Sequence, residues 1–510
     1  MKLFTIGDSI SQGFMSGAAA RTDLSFSTLL AGILKIKKYN YPDWPKDGHP
    51  VNIEALFREL QDKYGNDIAG IFEWTRSLFT IQKYLDTVED YYERGPGNED
   101  AVPDAKPFHN VAVRGFDLAY SWLIQPDLCM KHIKESENRK DNILGMVDES
   151  LLRTALRVLK AGSKEGPSNG SQLDWLQHHH QKEGVENLVL WLGANNALGT
   201  VLSLKIKQTS IDGTAFKAGP EKVSYQERID KDWNLWHPGD FKAEYEYMFS
   251  KVLNIMENNP RQTDYKVFVA TIPLVTIAPI IKAAGGAEDR EMVSVKEWRV
   301  NPENPAPSGL SQVDDGIVKR YSYGKYYPYF PFAESFNISL PHLNLLQALH
   351  IDNTIREYNR IIIETVALAN EKLKTKRFYL VDISSMLSDM ALKRNSFNPH
   401  YVYPPFFDFA YPKLDTRYYG VSRSGTFMAG GLFSLDGVHP TAIGQGLIAW
   451  EFLKVMQKAG SFTGDTATAI DWKAVFDSDR LINEPIGLIN EIYDNLDLKK
   501  WIIKMLVNRK

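Results

Sequence analysis

A serine hydroxyl lies where a short apolar segment of this chain meets a loop. The segment from Lys2 to Ile6 is mostly apolar and partly β-branched, which predicts a buried strand, and Gly7 then permits a sharp turn that presents the Ser9 hydroxyl. A hydroxyl becomes a nucleophile when a neighbouring base takes its proton. Ser9 is therefore a candidate nucleophile. We interpret Asp8 beside it as a hydrogen-bonding or helix-capping residue without a catalytic role.

A general base and a carboxylate partner for it occur together near the other end of the sequence. Asp436 and His439 are three residues apart, and Pro440 directly after them is typical of the first turn of a helix. With Ser9 they supply an attacking hydroxyl, a base, and an acid that fixes the imidazole tautomer and stabilises the imidazolium. Singly, each could be a cap, a turn residue or a surface residue. In combination they indicate nucleophilic catalysis.

Two further segments are expected to supply hydrogen-bond donors to the same site. The segment 109–113 is predicted to be a strand that ends just before Gly115, whose backbone N–H is then free for a ligand. A second apolar strand at 187–192 precedes a Gly-x-Asn turn that contains Asn195. Open α/β sheets bind ligands at the carboxyl ends of their strands. Donors placed there stabilise a tetrahedral oxyanion by about 3–4 kcal/mol each.

These four blocks together resemble the SGNH or GDSL-type hydrolases, a family of esterases and lipases. Their order along the chain is Gly-Asp-Ser, a glycine after a second strand, Gly-x-Asn after a third, and Asp-x-x-His-Pro. The resemblance implies a Ser-His-Asp triad with these roles: Ser9 as nucleophile and first oxyanion donor, Gly115 and Asn195 as the other oxyanion donors, His439 as the base and Asp436 as its partner.

The activity that the resemblance implies is hydrolysis of a carboxylic ester through an acyl-enzyme, without a cofactor or metal. Ile10 stands where the family name has leucine, which preserves an apolar side chain. Three alternatives remain open at this point. The same intermediate could be passed to a sugar or lipid alcohol by an acyltransferase, or the domain could be a glycan- or lipid-binding module with a vestigial site. In the third alternative, the helical insertions and the C-terminal tail are a partner-docking surface added to a working hydrolase. The acyl chain length and the alcohol part of the substrate are not encoded in any motif.

The elements that must position these residues alternate between strands and helices. Strands are predicted at 3–7, 109–113, 187–192, 265–271 and 377–382, and helices at about 22–36, 116–124, 146–161, 242–258, 353–374 and 441–458. Five such strands with covering helices predict an α/β fold, a three-layer α/β/α sandwich around a mostly parallel five-stranded sheet. The resemblance implies the same SGNH or flavodoxin-like fold.

The four blocks are spread over most of the chain, which predicts one hydrolase domain at 1–464 with long insertions. The insertions are placed at about 40–108, 203–240, 283–345 and 395–430, and a helical extension is placed at 465–510. The first insertion is predicted to contain helices at Ile53–Tyr64 and Ile68–Tyr92, and 203–240 is expected to be irregular.

Four residues are candidates for substrate binding. Tyr326, Tyr327 and Phe406 lie in aromatic clusters that either line the pocket or pack the insertions onto the sandwich. Asn196 either contacts the substrate or the Ser9 loop, or only closes its turn. These alternatives stay open at the level of sequence, and none of them identifies the substrate, which could be a small-molecule, lipid or carbohydrate ester.

Composition narrows the class of partner. The 510 residues are 44% hydrophobic and 24% charged with a net charge of −4, which argues against a nucleic-acid-binding protein. The single cysteine, Cys129, excludes an internal disulfide. No apolar run reaches the ~20 residues of a transmembrane helix and no signal sequence precedes the first strand, so we expect a cytoplasmic location, or a secreted one if a signal peptide was trimmed.

Two remaining features have competing interpretations. The basic, Trp-containing segment 498–510 could contact an anionic membrane or a partner, although packing against its own domain is the simpler expectation. Three consecutive histidines at 178–180 suggest a metal, but adjacent histidines on a helix cannot all face one ion, and Asp174 is the one acidic residue counted at ligand spacing. We therefore expect a solvated helix end there and no metal. The oligomeric state is left open.

Overall fold

A parallel sheet of four strands lies at the centre of the protein, as seen in a computed structural model. Its strands are β1 (Leu3–Gly7), β2 (Asn187–Trp191), β3 (Lys266–Ala270) and β4 (Phe378–Val381), side by side in that order. They are nearly continuous apolar runs, as is typical of parallel strands that are covered on both faces. The predicted α/β class with a parallel sheet is confirmed.

The structure describes most but not all of the chain. The described residues are 2–68, 70–98, 106–136, 147–259, 264–284, 291–295, 298–300, 310–312, 319–328, 341–391 and 401–490. Much of the insertion predicted at 283–345, part of that at 395–430, and the basic segment 498–510 therefore lie outside the described residues.

The segment predicted as a fifth strand, 109–113, lies beside β1 without becoming a regular strand. It forms a single parallel bridge, from Thr5 to Asn110, and the Val113 N–H donates to the Gly7 carbonyl at 3.2 Å. The Asn110 side chain accepts from the Ala112 N–H at 3.0 Å, which satisfies a donor that an outer strand would otherwise use. The segment therefore ends at the same edge of the sheet as β1, but the regular sheet has four strands among the described residues.

Helices surround this sheet and connect its strands. They are α1 (Ser9–Gln12), α2 (Phe26–Ile33), α3 (Ile53–Tyr64), α4 (Gly70–Glu89), α5 (Tyr120–Leu123), α6 (Pro126–Ser136), α7 (Ser150–Leu159), α8 (Gln172–Glu183), α9 (Asn195–Ser203), α10 (Tyr225–Lys231), α11 (Pro238–Glu257), α12 (Leu345–Leu373), α13 (Ile383–Ala391), α14 (Ala442–Lys458), α15 (Trp472–Ser478) and α16 (Arg480–Asn483). Within the described residues, no helix combines the length and the apolarity that crossing a bilayer requires.

Short strands and turns of helix lie outside the central sheet. The short strands are Phe14–Met15, Ala18–Ala19, His49–Pro50, Ile281–Ala284, Glu291–Val295, Trp298–Val300, Leu310–Gln312, Lys319–Tyr323, Lys325–Pro328, Gly420–Val421 and Phe427–Ala429. Single helical turns of other types are Thr22–Leu24, Asp90–Arg94, Pro220–Lys222, Val275–Ile277 and Pro405–Phe409.

Two hydrophobic cores lie on the two faces of the central sheet. Side chains alternate between the faces along each strand, so Phe4 and Leu190 belong to one core while Leu3 and Trp191 belong to the other. The first core is completed by α8, α11 and α12, and the second by α2 and α14. Each fully buried Leu or Phe contributes about 1.5–3 kcal/mol of hydrophobic free energy. This burial fixes the strands whose ends carry the candidate site.

Several helix boundaries differ from the predictions because of capping residues. The helix predicted at 22–36 is interrupted at Ser25, whose side chain accepts from the Thr28 N–H and starts α2. In contrast, α12 begins earlier than predicted because Asn344 and Gln347 form a reciprocal capping box. The insertion at 203–240, expected to be irregular, contains α10, which is capped by Ser224.

Candidate active site

The candidate nucleophile lies in the first turn of a very short helix directly after β1. Ser9 is the first residue of α1, and the Asp8 side chain caps this helix by accepting from the Ile10 N–H at 3.1 Å. The helix ends after four residues at Gly13, which has a left-handed φ of +79°. A side chain at Gly7 would lie 2.2 Å from the Ser11 hydroxyl, so only glycine fits the turn from strand to helix.

Ser9, His439 and Asp436 are joined by hydrogen bonds. The Ser9 Oγ lies 2.9 Å from the His439 Nε2, and the His439 Nδ1 lies 2.9 Å from the Asp436 Oδ2. Because an ionised carboxylate only accepts, the imidazole carries its proton on Nδ1 and its Nε2 accepts from the serine hydroxyl. The sequence-predicted residues are therefore brought together with the donor and acceptor directions that proton removal from Ser9 requires.

The Asp436 carboxylate is completely buried and surrounded by donors. Its Oδ1 accepts from the N–H groups of Val438 and His439, both at 2.8 Å, and its Oδ2 also accepts from the Gly17 N–H at 2.9 Å. Burial acts to raise the pKa of Asp436, but the His439 imidazole and these N–H groups outweigh it and leave the pKa below its usual value. Asp436 is therefore held as a carboxylate that orients His439.

Two backbone N–H groups near Ser9 have the position of oxyanion donors. Gly115 has a φ of +73° and lies two residues beyond Val113, which is hydrogen-bonded to Gly7. Ser9 likewise lies two residues beyond Gly7, at the start of a helix, where backbone N–H groups have no partner within the helix. Among the described residues, neither the Ser9 N–H nor the Gly115 N–H has a hydrogen-bond acceptor.

The Asn195 amide lies between residues that flank both of these donors. Its Nδ2 donates to the Phe116 carbonyl at 2.9 Å and to the Asp8 Oδ2 at 3.3 Å. Phe116 follows Gly115 and Asp8 precedes Ser9, so the three predicted oxyanion donors belong to one group of neighbouring residues. Both amide hydrogens of Asn195 are occupied, and the bond to Asp8 is the longer of the two.

Asp8 is a buried carboxyl group that is in contact with this donor group. Burial raises the pKa of Asp8 to about 7, although the Ile10 N–H and the nearby His439 act in the opposite direction. The sequence indicated only a capping or hydrogen-bonding role for it. Capping of α1 is what the structure shows, together with the contact to Asn195.

The four candidate substrate-binding residues do not form one group. Asn196 is fully buried; its Oδ1 accepts from the Leu118 N–H at 3.2 Å and its Nδ2 lies 3.4 Å from the Glu244 carboxylate. Phe406 contacts Phe476 of α15, with ring centroids 5.1 Å apart. For Tyr326 and Tyr327 the structure describes only backbone, in a strand paired with Ile281–Ala284. Nothing in these contacts connects them to Ser9.

The histidine run at 178–180 is packed rather than solvated. His179 and His180 are buried, which contradicts the expected solvated helix end, because α8 turns this side toward the first core. The sequence reasoning also missed Glu183, one helical turn after His179, and His109 from a distant segment; the ligand atoms of these three lie within 4.8 Å of one another.

The hydrogen bonds of this His–His–Glu group are those of an internal network. The His109 Nδ1 accepts from the Asn40 N–H at 2.9 Å, so its proton lies on Nε2 and faces the Glu183 Oε1 at 3.2 Å. The His179 Nδ1 lies 2.6 Å from the same oxygen. Contacts with both imidazoles hold the pKa of Glu183 well below its usual range. A metal ion at this position would have to displace these protons and the Asn40 bond.

Some residues of the site were not found from the sequence, although they lie close to the first block. The Phe14 ring packs on the His439 imidazole with centroids 4.6 Å apart, and the Gln12 Oε1 accepts from the Arg114 N–H at 3.1 Å. Gly17, which donates to Asp436, is also in this segment. Gln12, Phe14 and Gly17 follow Gly7-Asp8-Ser9 closely in the sequence, and Gly13 and Gly17 are only four residues apart. This closeness was the feature of the sequence that could have indicated a role for them in the site.

Comparison of the chain with models of protein families, with curated proteins and with solved structures gives no match. The chemistry of the site therefore has to be argued from its geometry. A serine with its base at 2.9 Å, a buried carboxylate behind the base, and backbone N–H groups beside the serine can together transfer a proton and bind a developing negative charge.

Proposed function

We propose that this protein is a serine hydrolase that cleaves carboxylic esters through an acyl-enzyme. The observation that carries the proposal is the continuous hydrogen-bonded chain from Ser9 through His439 to Asp436. Buried polar residues meet in many proteins for structural reasons. Here, however, the base accepts from the serine while its other nitrogen donates to a carboxylate, which is the arrangement that nucleophilic catalysis needs.

The reaction proceeds in two balanced steps. The Ser9 oxygen attacks the ester carbonyl carbon as its proton moves to the His439 Nε2, and the carbonyl electron pair becomes an oxyanion bound by the Ser9 and Gly115 N–H groups and the Asn195 amide. Collapse of this intermediate breaks the bond to the alcohol, which leaves with the proton from His439. In the second step, water attacks the acyl carbon as its proton moves to the His439 Nε2. The bond to the Ser9 oxygen then breaks, the proton returns to Ser9, and the carboxylic acid is released.

The proposal includes membership of the SGNH or GDSL-type hydrolases and the fold that goes with it. Support comes from the four sequence blocks, and from the positions of the first three blocks at the carboxyl ends of β1, of the 109–113 segment and of β2. Counting the 109–113 segment beside β1 as a fifth, irregular strand gives the five-stranded sandwich expected for that family. The regular pairing of the other four strands is compatible with this assignment.

The test is hydrolysis of p-nitrophenyl esters, from acetate to long acyl chains, by the purified protein and its variants. We expect Ser9→Ala and His439→Ala to lower kcat by at least about 10³-fold, because each removes a member of a unit that acts together. The chain-length series would also identify the acyl group, since no residue at the site specifies it.

Ser11→Ala is the matched control, because Ser11 is also a buried serine of α1 and its hydroxyl has no hydrogen-bond partner. We expect it to retain activity and thermal stability. Labelling with a fluorophosphonate should modify wild type and Ser11→Ala but not Ser9→Ala. Hydrolysis that persists unchanged in Ser9→Ala and His439→Ala would contradict the proposal.

A further inference from the structure

Among the residues that the structure describes, the guanidinium of Arg114 has no carboxylate partner. Its Nη2 donates to the Ser150 hydroxyl, and its Nε is buried with no hydrogen-bond acceptor in the same described part of the chain. Within the part of the chain that the structure describes, Arg114 forms no ion pair. Burial lowers the pKa of Arg114 to about 10, with no acidic group acting in the opposite direction. The side chain therefore remains charged at neutral pH.

Such a charge is costly unless something neutralises it. Buried charges in proteins are normally paired or bound to an ion, because desolvation without compensation costs several kcal/mol. Arg228 shows the usual solution for a buried arginine: it is paired with Glu244, and both side chains are almost fully buried. Among the described residues Arg114 has no such partner, which leaves its guanidinium open to a partner such as a ligand.

Arg114 is connected to the candidate active site in three ways. It directly precedes Gly115, and its own N–H donates to Gln12 of α1, the helix that begins with Ser9. Its guanidinium lies over the Phe14 ring at 5.8 Å from the centroid, and the other neighbour of that ring is the His439 imidazole at 4.6 Å. Only one aromatic ring therefore separates the guanidinium from the catalytic base.

Two further arginines act on the same neighbour of Arg114, His49. Burial lowers the pKa of His49 well below its usual value, and the charges of Arg114 and of Arg157 and Arg153 on α7 lower it further, so His49 is uncharged. Arg157 lies over the Trp44 ring at 5.8 Å, and its Nη1 is buried without a hydrogen-bond partner. An anion near Arg114 would meet several positive charges here, and His49 would add no charge of its own.

We propose that Arg114 binds an anionic group, a carboxylate or a phosphate, carried by the ester substrate next to the bond that is cleaved. Guanidinium donors bind such groups with charge-assisted, often bidentate hydrogen bonds, and the planar Arg114 group has an Nε donor that no acceptor among the described residues satisfies. This inference rests on the proposed function and adds the substrate class: esters with a negative charge on the acyl part or on the alcohol part.

The experiment compares charged and neutral esters in matched pairs. p-Nitrophenyl hydrogen glutarate against p-nitrophenyl pentanoate places the charge on the acyl side, and 4-acetoxybenzoate against phenyl acetate places it on the alcohol side. The variants are Arg114→Gln and Arg114→Lys. Arg377→Gln is the matched control, because Arg377 also lies over an aromatic ring, that of Tyr265 at 5.3 Å, but pairs with Asp264 at the opposite edge of the sheet.

We expect wild type to prefer the charged ester of at least one pair. Arg114→Gln should lower kcat/KM for that ester by about 10- to 100-fold, the range for one charge-assisted hydrogen-bonding group, and leave its neutral match unchanged. The kcat/KM of Arg114→Lys for the charged ester should lie between the values of wild type and Arg114→Gln. Arg377→Gln should have the wild-type value. The melting temperature of Arg114→Gln should be equal to or above that of wild type, since an uncompensated charge is removed.

Two results would overturn the inference. One is the absence of any charge preference in wild type. The other is an equal loss on charged and neutral esters in Arg114→Gln, which would mean that the residue only supports Gly115.

Calorimetric titration with glutarate and with inorganic phosphate tests anion binding by Arg114 independently of ester hydrolysis. If wild type hydrolyses no ester, the proposed function fails. Anion binding that is lost in Arg114→Gln would then still support the site, whereas no anion binding in wild type would refute it.

Discussion

Two buried carboxyl groups near Ser9 have opposite environments. Asp436 accepts from three backbone N–H groups and an imidazole, so its ionised form is favoured. Asp8 accepts from one backbone N–H and a long amide bond, so burial dominates and its neutral form is favoured. Because Asp436 accepts more hydrogen bonds than Asp8, its pKa is lowered while the pKa of Asp8 is raised, although both are buried in the same site.

The raised pKa of Asp8 predicts a pH-dependent loss of stability. Between its usual pKa near 3.8 and about 7, the folded state binds a proton that the unfolded state has released, so the free energy of unfolding falls as the pH rises. Asp8→Asn removes this effect. Its stability relative to wild type should rise from pH 4 to pH 8, by up to about 4 kcal/mol.

The measurement is urea unfolding of wild type and Asp8→Asn at several pH values. Asp230→Asn, at an exposed carboxylate of α10, serves as the control and should follow the wild-type profile. A stability difference between Asp8→Asn and wild type that stays constant from pH 4 to pH 8 would show that Asp8 is ionised at a normal pKa.

At the scale of elements, the strands were easier to predict from the sequence than the ends of the helices. Buried parallel strands are compact apolar runs, and all four regular strands were predicted to within one residue at each end. The segment 109–113 is apolar only in its second half, and Asn110 turns its side chain back onto the Ala112 N–H, a bond that no local sequence pattern predicts. Helix starts depend on single capping residues such as Asn344, which hydrophobic periodicity does not detect.

The start of α14 is fixed by close packing against the chain before His439. A side chain at Gly444 would lie 2.4 Å from the Leu432 carbonyl oxygen, which also accepts from the Thr441 N–H at 3.1 Å. We predict that Gly444→Ala destabilises the protein by about 1–3 kcal/mol and lowers esterase activity, although alanine favours helix more than glycine. The reason is that α14 must shift, together with the adjacent His439.

Gly32→Ala in α2 is the control, because a side chain there meets nothing within 4 Å. It should raise stability by about 0.5–1 kcal/mol without changing kcat. Thermal unfolding and ester hydrolysis of both variants provide the comparison. Equal stabilisation by the two substitutions would mean that the contact at Gly444 is not tight.

At the scale of the molecule, the second core includes residues near the described end of the chain. Trp472 of α15 packs edge-on against Phe407, with centroids 5.1 Å apart, and against α14 at Gly446. Asp479 accepts from the Ile443 N–H at 3.3 Å, and the Tyr419 hydroxyl donates to the Leu481 carbonyl. The described residues after 464 are therefore part of the packing that surrounds α14.

We predict that Trp472→Ala lowers the free energy of unfolding by about 3–5 kcal/mol, the range for truncating a buried aromatic side chain. Phe409→Ala, at an aromatic side chain that is 85% exposed, should change it by less than about 0.5 kcal/mol. Chemical denaturation of the two variants tests this. A small effect for Trp472→Ala would mean that the segment after 464 contributes little to the second core.

The residues of the triad could be proposed from the sequence because their types and local spacing are diagnostic, but their neighbours could not. Phe14 and Arg114 meet through segments that are far apart in sequence, and their contact follows from the pairing of the 109–113 segment beside β1. Aromatic clusters gave the opposite result. The sequence left open whether Phe406 lines a pocket or packs its insertion onto the sandwich, and the structure places it against Phe476 of α15.

Ser9 and His439 are 430 positions apart in the sequence, so they are added to the chain at different times during synthesis. At about 5–20 residues per second, the ribosome adds His439 roughly 20–90 s after Ser9. During that interval the serine has no base, so a nascent chain of the proposed hydrolase cannot acylate itself on passing esters. The contact that activates the nucleophile can form only after His439 has been added, and the appearance of fluorophosphonate labelling during refolding would report the formation of this contact.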